Sequence, residues 1–349
     1  MKANGSRRLS GSVFVVLAIV SFCIIGNWAW PPASEAADKV IKWRCQSFEP
    51  PPEIWIAKET MKSIEKASGG RLKINVFSGG ELVPSPEILK SVGSGMIQMG
   101  MGYGGYWPSR VDVANIECGL PMTLQNIEEG FDAYYSRGLI DIVREAYKEN
   151  NVRWWPKFGS LYSLISTKPV KSLAEMKKMK LRVAGPLSLL LKSVGVATAY
   201  LPFEEVYMAL ATGTIDGAIM GPLHTYKNLK MYEVAPYYSD FSFMMPIVNV
   251  MVNLKAWEKL PADLKEIVDL AMFKNTFMVH KNHIAQEYKL RRELTKQGKL
   301  TVTKMDQESI KTLRKAAVAV WDAEAKKSER NARAMGIIKE TLKDRGIID

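Results

Sequence analysis

The chain from residue 40 onward alternates between short segments with hydrophobic residues at every second position and longer segments with helical spacing. Period-two segments are typical of strands, and apolar residues three or four apart are typical of amphipathic helices. The pattern predicts strand, helix, strand, helix and strand over residues 40–48, 53–68, 72–77, 84–95 and 97–103. This order indicates a parallel sheet flanked by helices.

The same plan returns in the second half of the chain. Strands and helices are predicted there over 161–167, 179–184, 186–195, 197–202, 204–213 and 215–221. Two stretches align with each other, EILKSVGSGMIQMG from Glu87 and EVYMALATGTIDGA from Glu205. In each, a short amphipathic helix ends at a glycine, Gly95 or Gly213, which supplies the left-handed residue of a helix end. We therefore predict an α/β fold with two lobes of similar design.

A long segment without internal glycine or proline predicts one helix over 261–297, about 54 Å long at the standard rise. Such a helix is longer than one lobe, so we expect it to brace both. A strand over 300–305 and helical sequence follow it. We assign lobe I to residues 37–158 and 249–290 and lobe II to residues 159–248 and 291–349, with hinge strands near 158–160 and 246–252.

Residues 1–36 have the three parts of a secretory signal peptide. Basic residues come first, an apolar stretch covers 13–25, and Ser34-Glu35-Ala36 has the small-x-small pattern of a cleavage site. We predict cleavage near Ala36 and a periplasmic mature protein. The alternative is an uncleaved anchor, because residues 13–30 are about long enough to span a bilayer.

Composition narrows the choice of partners. Hydrophobic residues make up 47% of the 349 residues, so we expect a packed core. The net charge is +12, but the basic residues are interleaved with glutamate on predicted helices, and no basic tract contains aromatic residues. We therefore predict no nucleic-acid partner and an overall charge that favours small anions. Cys45 and Cys118 fit either a disulfide or two buried thiols.

Residues suited to catalysis are sparse. Of the three histidines, His280 and His283 lie three residues apart on the long helix, without an acidic or cysteine partner nearby to complete a metal site. Neither a nucleophile elbow nor a phosphate-binding P-loop motif is present. GMGYGG at 100–105 matches G-x-G-x-x-G, but YWPSR follows instead of a helix that would hold a pyrophosphate. We expect no enzymatic activity, no cofactor and no metal site formed by these residues, and the sequence leaves open whether a metal ion assists ligand binding.

Arg182 is the candidate binding residue of the second lobe. It lies in KMKLRVAG, where Leu181 and Val183 alternate with it, just before a helix that begins at Pro186. One interpretation is a solvated arginine on an edge strand. The other is a partly buried guanidinium, which requires an anionic partner and matches a carboxylate with two parallel hydrogen bonds.

Aromatic residues follow the strand ends of both lobes. Tyr103 and Tyr106 come at the end of the third strand, and Phe158 lies just before the second lobe. Ligands of open α/β sheets bind outside the carboxyl ends of the strands, where Arg182 also lies. These aromatic side chains either line a cleft between the lobes or belong to the core.

The chain resembles the substrate-binding proteins of tripartite ATP-independent periplasmic (TRAP) transporters, of the DctP type. The first-lobe signature is matched by GGRLKINVFSGGELVPSPEILKSVGSGMIQMGMG, and the second by STKPVKSLAEMKKMKLRVAG with VGVATAYLPFEEVYMALATGTIDGAIMG. VNLKAWEKLP, before the long helix, resembles the hinge and bracing element. The resemblance implies a periplasmic-binding-protein-like fold whose cleft closes over an organic acid, and delivery of that acid to a membrane permease.

The resemblance also implies that Arg182 clamps the ligand carboxylate. Sialic-acid-type members carry a second arginine near the position of Tyr162, and many members carry an acidic residue near Met220. These departures favour a monocarboxylate with a sizeable apolar or aromatic body. We predict ligand contacts from Arg182, with further contacts from Tyr162, Tyr103, Tyr106, Phe158, Met220 and Asn249.

Two further predictions concern the assembly and the class of protein. We expect a monomer rather than a dimer. The alternatives to a transport protein are a ligand-sensing ectodomain for a membrane signalling partner and a secreted enzyme. An uncleaved N-terminus would favour the former, and a base and a nucleophile converging in the cleft would favour the latter.

Overall fold

A computed structural model describes residues 40–348, except for the side chains of residues 279, 280 and 282–284. The predicted signal peptide lies outside the described residues. The strands are β1 Ile41–Ser47, β2 Leu72–Phe77, β3 Met99–Tyr103, β4 Val152–Phe158, β5 Tyr162–Ser166, β6 Lys180–Arg182, β7 Ala197–Ala199, β8 Gly217–Ile219, β9 Tyr237–Met244, β10 Ile247–Asn253 and β11 Thr301–Thr303.

The predicted helices agree with the observed ones within two residues at their ends and within four residues at their starts. They are α1 Trp55–Ala67, α2 Ile88–Gly93, α3 Ala114–Glu117, α4 Ile127–Phe131, α5 Leu139–Lys148, α6 Leu173–Met176, α7 Pro186–Ser193, α8 Val206–Ala211, α9 Leu223–Asn228, α10 Leu254–Glu258, α11 Ala262–Lys296, α12 Gln307–Ala325 and α13 Glu329–Asp344. None of the described helices is long and apolar enough to cross a membrane.

Two sheets organise the described residues, as the prediction of a two-lobed α/β fold requires. The first has the strand order β2-β1-β3-β10-β4, and the second has the order β11-β9-β5-β8-β6-β7. β1 pairs in parallel with β2 and β3, and β6 pairs in parallel with β7 and β8. The β-α-β-α-β units of the sequence therefore form the parallel part of each sheet.

Both sheets also contain antiparallel strands outside the β-α-β-α-β units, so they are mixed. β10 pairs antiparallel with β3 and β4, and β5 pairs antiparallel with β8 and β9. All seven residues of β10 are buried, and so are six of the seven in β4. β10 overlaps the hinge strand predicted near 246–252, whereas β4 was not predicted, because a strand covered on both faces shows no alternation of polar and apolar residues.

The chain passes between the sheets at three places. Residues 159–161 join β4 to β5, residues 245–246 join β9 to β10, and α11 leads from β10 and α10 to β11. α11 has 35 residues and contacts α1 and β4 on one side and α9 and β11 on the other. α12 packs on α7, and α13 packs on α5. The lobe boundaries stay a prediction.

Packing explains the glycines of the GMGYGG segment. A side chain on Gly100 would collide with Ile88, and one on Gly102 would collide with Trp107. These glycines let a helix and a tryptophan lie directly against β3, all of whose residues are buried. Cys45 and Cys118 are both buried free thiols, so the disulfide alternative is wrong for this structure.

Candidate functional site

A cavity lies where strand ends of the two sheets meet. Tyr103 ends β3 of the first sheet, Arg182 ends β6 of the second, and Met220 follows β8. About 340 Å³ of space in and around this cavity is free of protein atoms, and part of that space is open to solvent. Its lining is mostly aromatic or aliphatic and consists of Phe48, Tyr103, Tyr106, Tyr162, Arg182, Ala184, Leu187, Phe203, Ile219, Met220 and Met244. Ligands of α/β proteins bind at such strand ends.

Arg182 is the charged group of this lining. Its strand lies between β7 and β8, and the residue is only 2% exposed, so the solvated edge-strand interpretation is wrong. Its Nε and Nη2 donate to the carbonyl oxygen of Leu201 at 3.0 and 2.9 Å. This carbonyl orients the guanidinium and leaves donors for a ligand, since a guanidinium carries five of them.

The guanidinium has no acidic partner among residues 40–348, where its backbone acceptor is the carbonyl of Leu201. Removing a charged group from water costs several kcal/mol in order of magnitude unless an opposite charge and hydrogen bonds compensate. A buried arginine without a protein carboxylate therefore creates a site that favours an anion. Its planar fork suits a carboxylate in particular.

Tyrosine rings enclose the arginine. Tyr106 packs edge-to-face on Tyr103 at 5.6 Å and on Tyr200 at 6.0 Å between ring centroids. Burial raises the pKa of Tyr106 to about 12, although the charge of Arg182 acts in the opposite direction. Burial also raises the pKa of Tyr162. Both phenols are therefore neutral near pH 7 and keep their protons for hydrogen bonds to an anion.

The structure brings five of the seven predicted site residues to this cavity: Tyr103, Tyr106, Tyr162, Arg182 and Met220. Phe158 lies elsewhere, fully buried against Phe131 and Tyr134 with ring centroids 5.3 and 5.4 Å apart. Its neighbour Lys157 faces the binding region instead. Successive residues of a strand point to opposite faces, which explains the exchange.

Asn249 is also absent from the cavity lining. Its Oδ1 accepts from Trp154 Nε1 at 2.8 Å, and its Nδ2 donates to the Tyr147 hydroxyl at 2.8 Å and to Glu117 Oε1 at 3.2 Å. The preceding residue, Val248, points toward the binding region. The asparagine therefore belongs to a polar network on the opposite face of β10.

The structure adds residues that the sequence did not indicate. Phe48, directly after β1, and Phe203, in a short helical turn before α8, both line the cavity and pack edge-to-face at 6.4 Å. The signal for Phe48 is its position directly after β1, at the same sheet edge as Tyr103. Lys157 has a weaker signal, since it is a lysine within an otherwise apolar stretch.

A second cavity, here called the distal chamber, adjoins the first and shares Phe48, Tyr162, Phe203 and Met220 with it. About 580 Å³ of space in and around the distal chamber is free of protein atoms, and part of that space is open to solvent. Its polar lining includes Glu49, Glu53, Lys157 and Thr225. The two cavities together form an elongated region with Arg182 in one part and these charged residues in the other.

Glu53, just before α1, connects this part of the chain with α9 across the distal chamber. Its carboxylate accepts from Thr225 Oγ1 at 3.0 Å and from Asn228 Nδ2 at 2.9 Å, and it lies 3.4 Å from His224 Nε2. Burial raises the pKa of Glu53, but His224 and the hydrogen bonds of Asn228 and Thr225 outweigh it and lower the pKa below its usual value. Glu53 is therefore ionised at neutral pH and stabilises contact with α9.

Two glycines allow the backbone after β3 to contact the backbone after β6 beside the cavity. Gly105 lies in a short helical turn after β3, and Gly185 follows β6 with a φ of +63°. A Cβ on Gly105 would lie 2.6 Å from Gly185 Cα, well inside the van der Waals distance. Only glycine allows this approach, which helps to enclose Arg182.

Glu117, the last residue of α3, is fully buried behind the cavity. Its Oε1 accepts from the Tyr147 hydroxyl at 2.7 Å and from Asn249, and it lies against Gly104 in the turn that carries Tyr106. Burial raises the pKa of Glu117 to about 8, although the bonds from Tyr147 and Asn249 oppose the change. The carboxyl is therefore protonated at neutral pH.

We predict that this carboxyl makes the protein less stable as pH rises from about 5 to 8. The folded state keeps a proton that the unfolded state, with a pKa of 4.5, releases. The free energy of unfolding therefore falls by up to about 1.4 kcal/mol per pH unit across this window. Glu117→Gln should remove this slope, as measured by urea unfolding at several pH values.

The control for this prediction is Glu87→Gln, because the side chain of Glu87 is 51% exposed. This variant should keep the pH dependence of the natural protein. A Glu117→Gln protein with an unchanged slope would contradict the buried, protonated state.

Comparison with known proteins identifies the family. The family model for bacterial extracellular solute-binding proteins, family 7 (DctP), matches residues 52–328. This range covers most of the chain and includes every strand of both sheets except β1. The chain belongs to this family. The predicted membership is thereby confirmed, and the family role of the solute-binding protein is binding and not catalysis.

Two relatives are named for the acids that they bind. The solute-binding protein is 28% identical over 237 residues to a monocarboxylate 2-oxoacid-binding periplasmic protein of a Nostoc strain, a match that covers 66% of this chain and 65% of the relative. The match thus spans slightly less than two thirds of that relative. This chain is also 25% identical over 250 residues to a sialic acid-binding periplasmic protein of Vibrio cholerae. That match covers 69% of this chain and 76% of the relative.

Solved structures share the fold of the solute-binding protein. A TRAP transporter solute-binding protein of Bordetella bronchiseptica, a mixed-occupancy dimer with calcium and picolinate in one site, has a TM-score of 0.82 and 25% identity, covering 88% of this chain and 93% of the other. One from Pseudoalteromonas atlantica, with bound sodium and pyruvate, has a TM-score of 0.81 and 23% identity over 88% and 95%. The two-lobed α/β fold is thereby confirmed.

Two of the related structures contain a metal ion together with the acid, calcium with picolinate and sodium with pyruvate. Hard cations prefer carboxylate and carbonyl oxygens, and the cavity lining within the described residues contains no carboxylate. Among the described side chains, no group of three metal-binding residues occurs. His280 and His283 lie outside the described side chains.

Proposed function

We propose that the protein captures a monocarboxylate with a sizeable apolar or aromatic body and delivers it to a TRAP-type permease in the membrane. The observation that carries the proposal is the buried guanidinium of Arg182, which has no acidic partner among residues 40–348 and faces an aromatic cavity. In this proposal Arg182 holds the carboxylate, and Tyr162 is the second hydrogen-bond donor.

The character of the cavity supports an apolar or aromatic ligand body. Tyr103 and Tyr106 form one wall, and Phe203 and Met220 form another. Tyr162 occupies the region where sialic-acid-type members place a second arginine, so a second strong anion site is missing next to the first. The 2-oxoacid-binding relative and the picolinate-containing structure are in keeping with a monocarboxylate.

The proposal places the mature protein in the periplasm, after cleavage of a signal peptide near Ala36. Support comes from the pattern of residues 1–36 and from the family of extracellular proteins to which the chain belongs. The proposal includes no catalytic activity, because the lining of the cavity holds an arginine and neutral side chains without a base beside a nucleophile. The monomer stays a prediction, since one related structure is a dimer.

A thermal-shift screen of organic acids against the mature chain tests this function. At a ligand concentration of about 100 times Kd, a bound acid should raise the unfolding transition by roughly 5 °C. Each acid is paired with its neutral primary amide, which keeps the shape and loses the charge. Acids that act while their amides do not would support the proposal, and amides that act equally would overturn it.

A further inference from the structure

We propose that the Lys157–Glu49 pair of the distal chamber selects monocarboxylates that carry a neutral oxygen acceptor, such as a ketone, at the end remote from the carboxylate. This inference rests on the proposed function, because it requires Arg182 to hold the carboxylate in the first cavity. It concerns the other end of the ligand, where the chamber contains both signs of charge.

The pair is built into the protein and does not lie at its surface. Lys157 is 4% exposed, and its Nζ lies 3.0 Å from Glu49 Oε1. Lys157 belongs to edge strand β4, and Glu49 follows β1. The ion pair therefore spans the first sheet at its binding edge, and both residues line the distal chamber.

The acidic groups of the distal chamber already accept hydrogen bonds at every carboxylate oxygen. Glu49 Oε1 accepts from Lys157, and Glu49 Oε2 accepts from Ser47 Oγ at 3.4 Å. The two oxygens of Glu53 accept from Asn228 and Thr225. Each of these oxygens can accept one further hydrogen bond, so hydrogen-bonding capacity alone does not exclude a ligand group that donates, and the charges of the chamber make the distinction.

The ammonium group of Lys157 can donate more hydrogen bonds than it makes within the protein. An ammonium group carries three donors, and within residues 40–348 the structure gives Nζ one acceptor, Glu49. A buried donor that is left without an acceptor costs free energy. A ligand oxygen placed beside Nζ would remove that cost. The chamber therefore favours a ligand group that accepts a hydrogen bond at this position.

Charge decides which acceptor fits. The chamber lining contains two carboxylates, Glu49 and Glu53, against the single ammonium of Lys157. A second ligand carboxylate would face two acidic side chains that are only 18% and 9% exposed, so water screens the repulsion between like charges less than at an open surface. A neutral carbonyl oxygen accepts from Lys157 without that repulsion. Dicarboxylates are therefore disfavoured, although Lys157 alone would attract them.

The ligand body spans the residues that the two cavities share. Phe48, after β1, and Phe203, before α8, pack against each other, and Tyr162 and Met220 complete the connection. A planar or aliphatic body between these side chains has its carboxylate at Arg182 and its remote oxygen at Lys157. The apolar body thus joins the two polar ends of the binding region.

Two matched series of probes test the inference by calorimetry. The aromatic series is benzoate, para-acetylbenzoate and terephthalate, and the aliphatic series is pentanoate, levulinate and glutarate. In at least one series the ketone should bind about tenfold more tightly than the unsubstituted acid, as expected for one hydrogen bond to a charged group. The diacid should bind more weakly than the ketone.

The variant is Lys157→Met combined with Glu49→Gln, which removes both charges together and so leaves no unpaired buried charge. The ketone's advantage should shrink to less than about twofold, while the unsubstituted acid keeps its affinity within about threefold. An unchanged thermal transition without ligand would show that the double variant folds. Lys157→Arg, which keeps the charge and its donors, should retain the ketone preference.

Several results would overturn the inference. They are a natural protein that prefers the diacid, a natural protein that binds ketone and plain acid equally in both series, and a ketone preference that survives in the double variant. If none of the monocarboxylates binds, or if binding survives Arg182→Ala, the proposed function fails first. A double variant that does not fold would shift the test to Lys157→Gln, for which the same loss of preference is expected.

Discussion

Arg182→Ala should weaken carboxylate binding by at least about a hundredfold, because two charge-assisted hydrogen bonds and a buried positive charge are lost together. The same variant should unfold at nearly the same temperature as the natural protein without ligand. The variant loses the two hydrogen bonds to the carbonyl of Leu201, and removing an uncompensated buried charge offsets that loss. Calorimetry with an acid found in the screen measures the affinity.

Arg182→Lys separates geometry from charge. The ammonium keeps the positive charge but cannot form the two parallel bonds of a guanidinium with a carboxylate. It also loses the double contact with the Leu201 carbonyl that orients the side chain. We therefore expect poor binding from this variant as well, weaker than the natural protein by about tenfold or more.

The control for both arginine variants is Arg314→Ala in α12, since Arg314 is exposed and has the same formal charge. It should bind like the natural protein, which would exclude an effect of net charge alone. Natural-like affinity in Arg182→Ala would remove Arg182 from the binding site and with it the proposed mode of recognition.

Gly105→Ala should weaken ligand binding by at least about tenfold by preventing the close contact of the two sides. The new methyl group would lie 2.6 Å from Gly185 Cα and 2.6 Å from Tyr103 Cε1. The tyrosine ring can move, but the backbone of Gly185 can retreat only if the turn after β3 separates from the end of β6. That separation would open the cavity around Arg182 and expose the bound carboxylate to water.

This prediction has a control with the same chemical change. Gly336→Ala adds a methyl group in helix α13, and outside the helix's own backbone no described atom lies within 4 Å of where that methyl carbon would sit. Alanine is the better helix former, so this variant should be neutral or slightly more stable. Calorimetry gives the affinities, and small-angle scattering with ligand shows whether each protein is as compact as the natural one. Equal affinity in Gly105→Ala and Gly336→Ala would mean that the glycine contact does not serve closure.

The glycine and arginine predictions concern the same cavity but test different properties of it, its charge and its closure. In the proposed mode of binding, Arg182 supplies the attraction for the ligand, whereas Gly105 and Gly185 allow the surrounding backbone to come close enough to exclude water. A loss of affinity in both variants, with normal thermal transitions, would connect charge recognition with enclosure. The distal chamber then determines which carboxylates are retained.

Local pattern was sufficient for much of the architecture. The spacing of apolar residues predicted α1 and β2 almost to the residue, and the uninterrupted segment after Pro261 predicted α11 within one residue at each end. The aligned stretches from Glu87 and Glu205 indicated two similar units. These features depend on residues close in sequence, where periodicity and glycine positions act directly on the backbone.

Such patterns did not predict which way the side chains of β4 and β10 point. An aromatic and an amide side chain, Phe158 and Asn249, are of types that often line binding pockets. In this structure their neighbours Lys157 and Val248 face the binding region instead. β4 and β10 are covered on both faces, so no alternation between polar and apolar residues marks the side that meets the ligand. A shift of one residue exchanges the two faces.

The amino-acid order alone was enough to specify the elements, the duplication, the family resemblance and an arginine at a strand end. Contacts between distant parts of the chain decided the rest. They bury Arg182 without an acidic neighbour among residues 40–348, set Glu49 against Lys157, and bring Gly105 to Gly185. The physical reason is that charge compensation, solvent exclusion and close approach are properties of pairs of residues about 80 or more positions apart, which local periodicity does not encode.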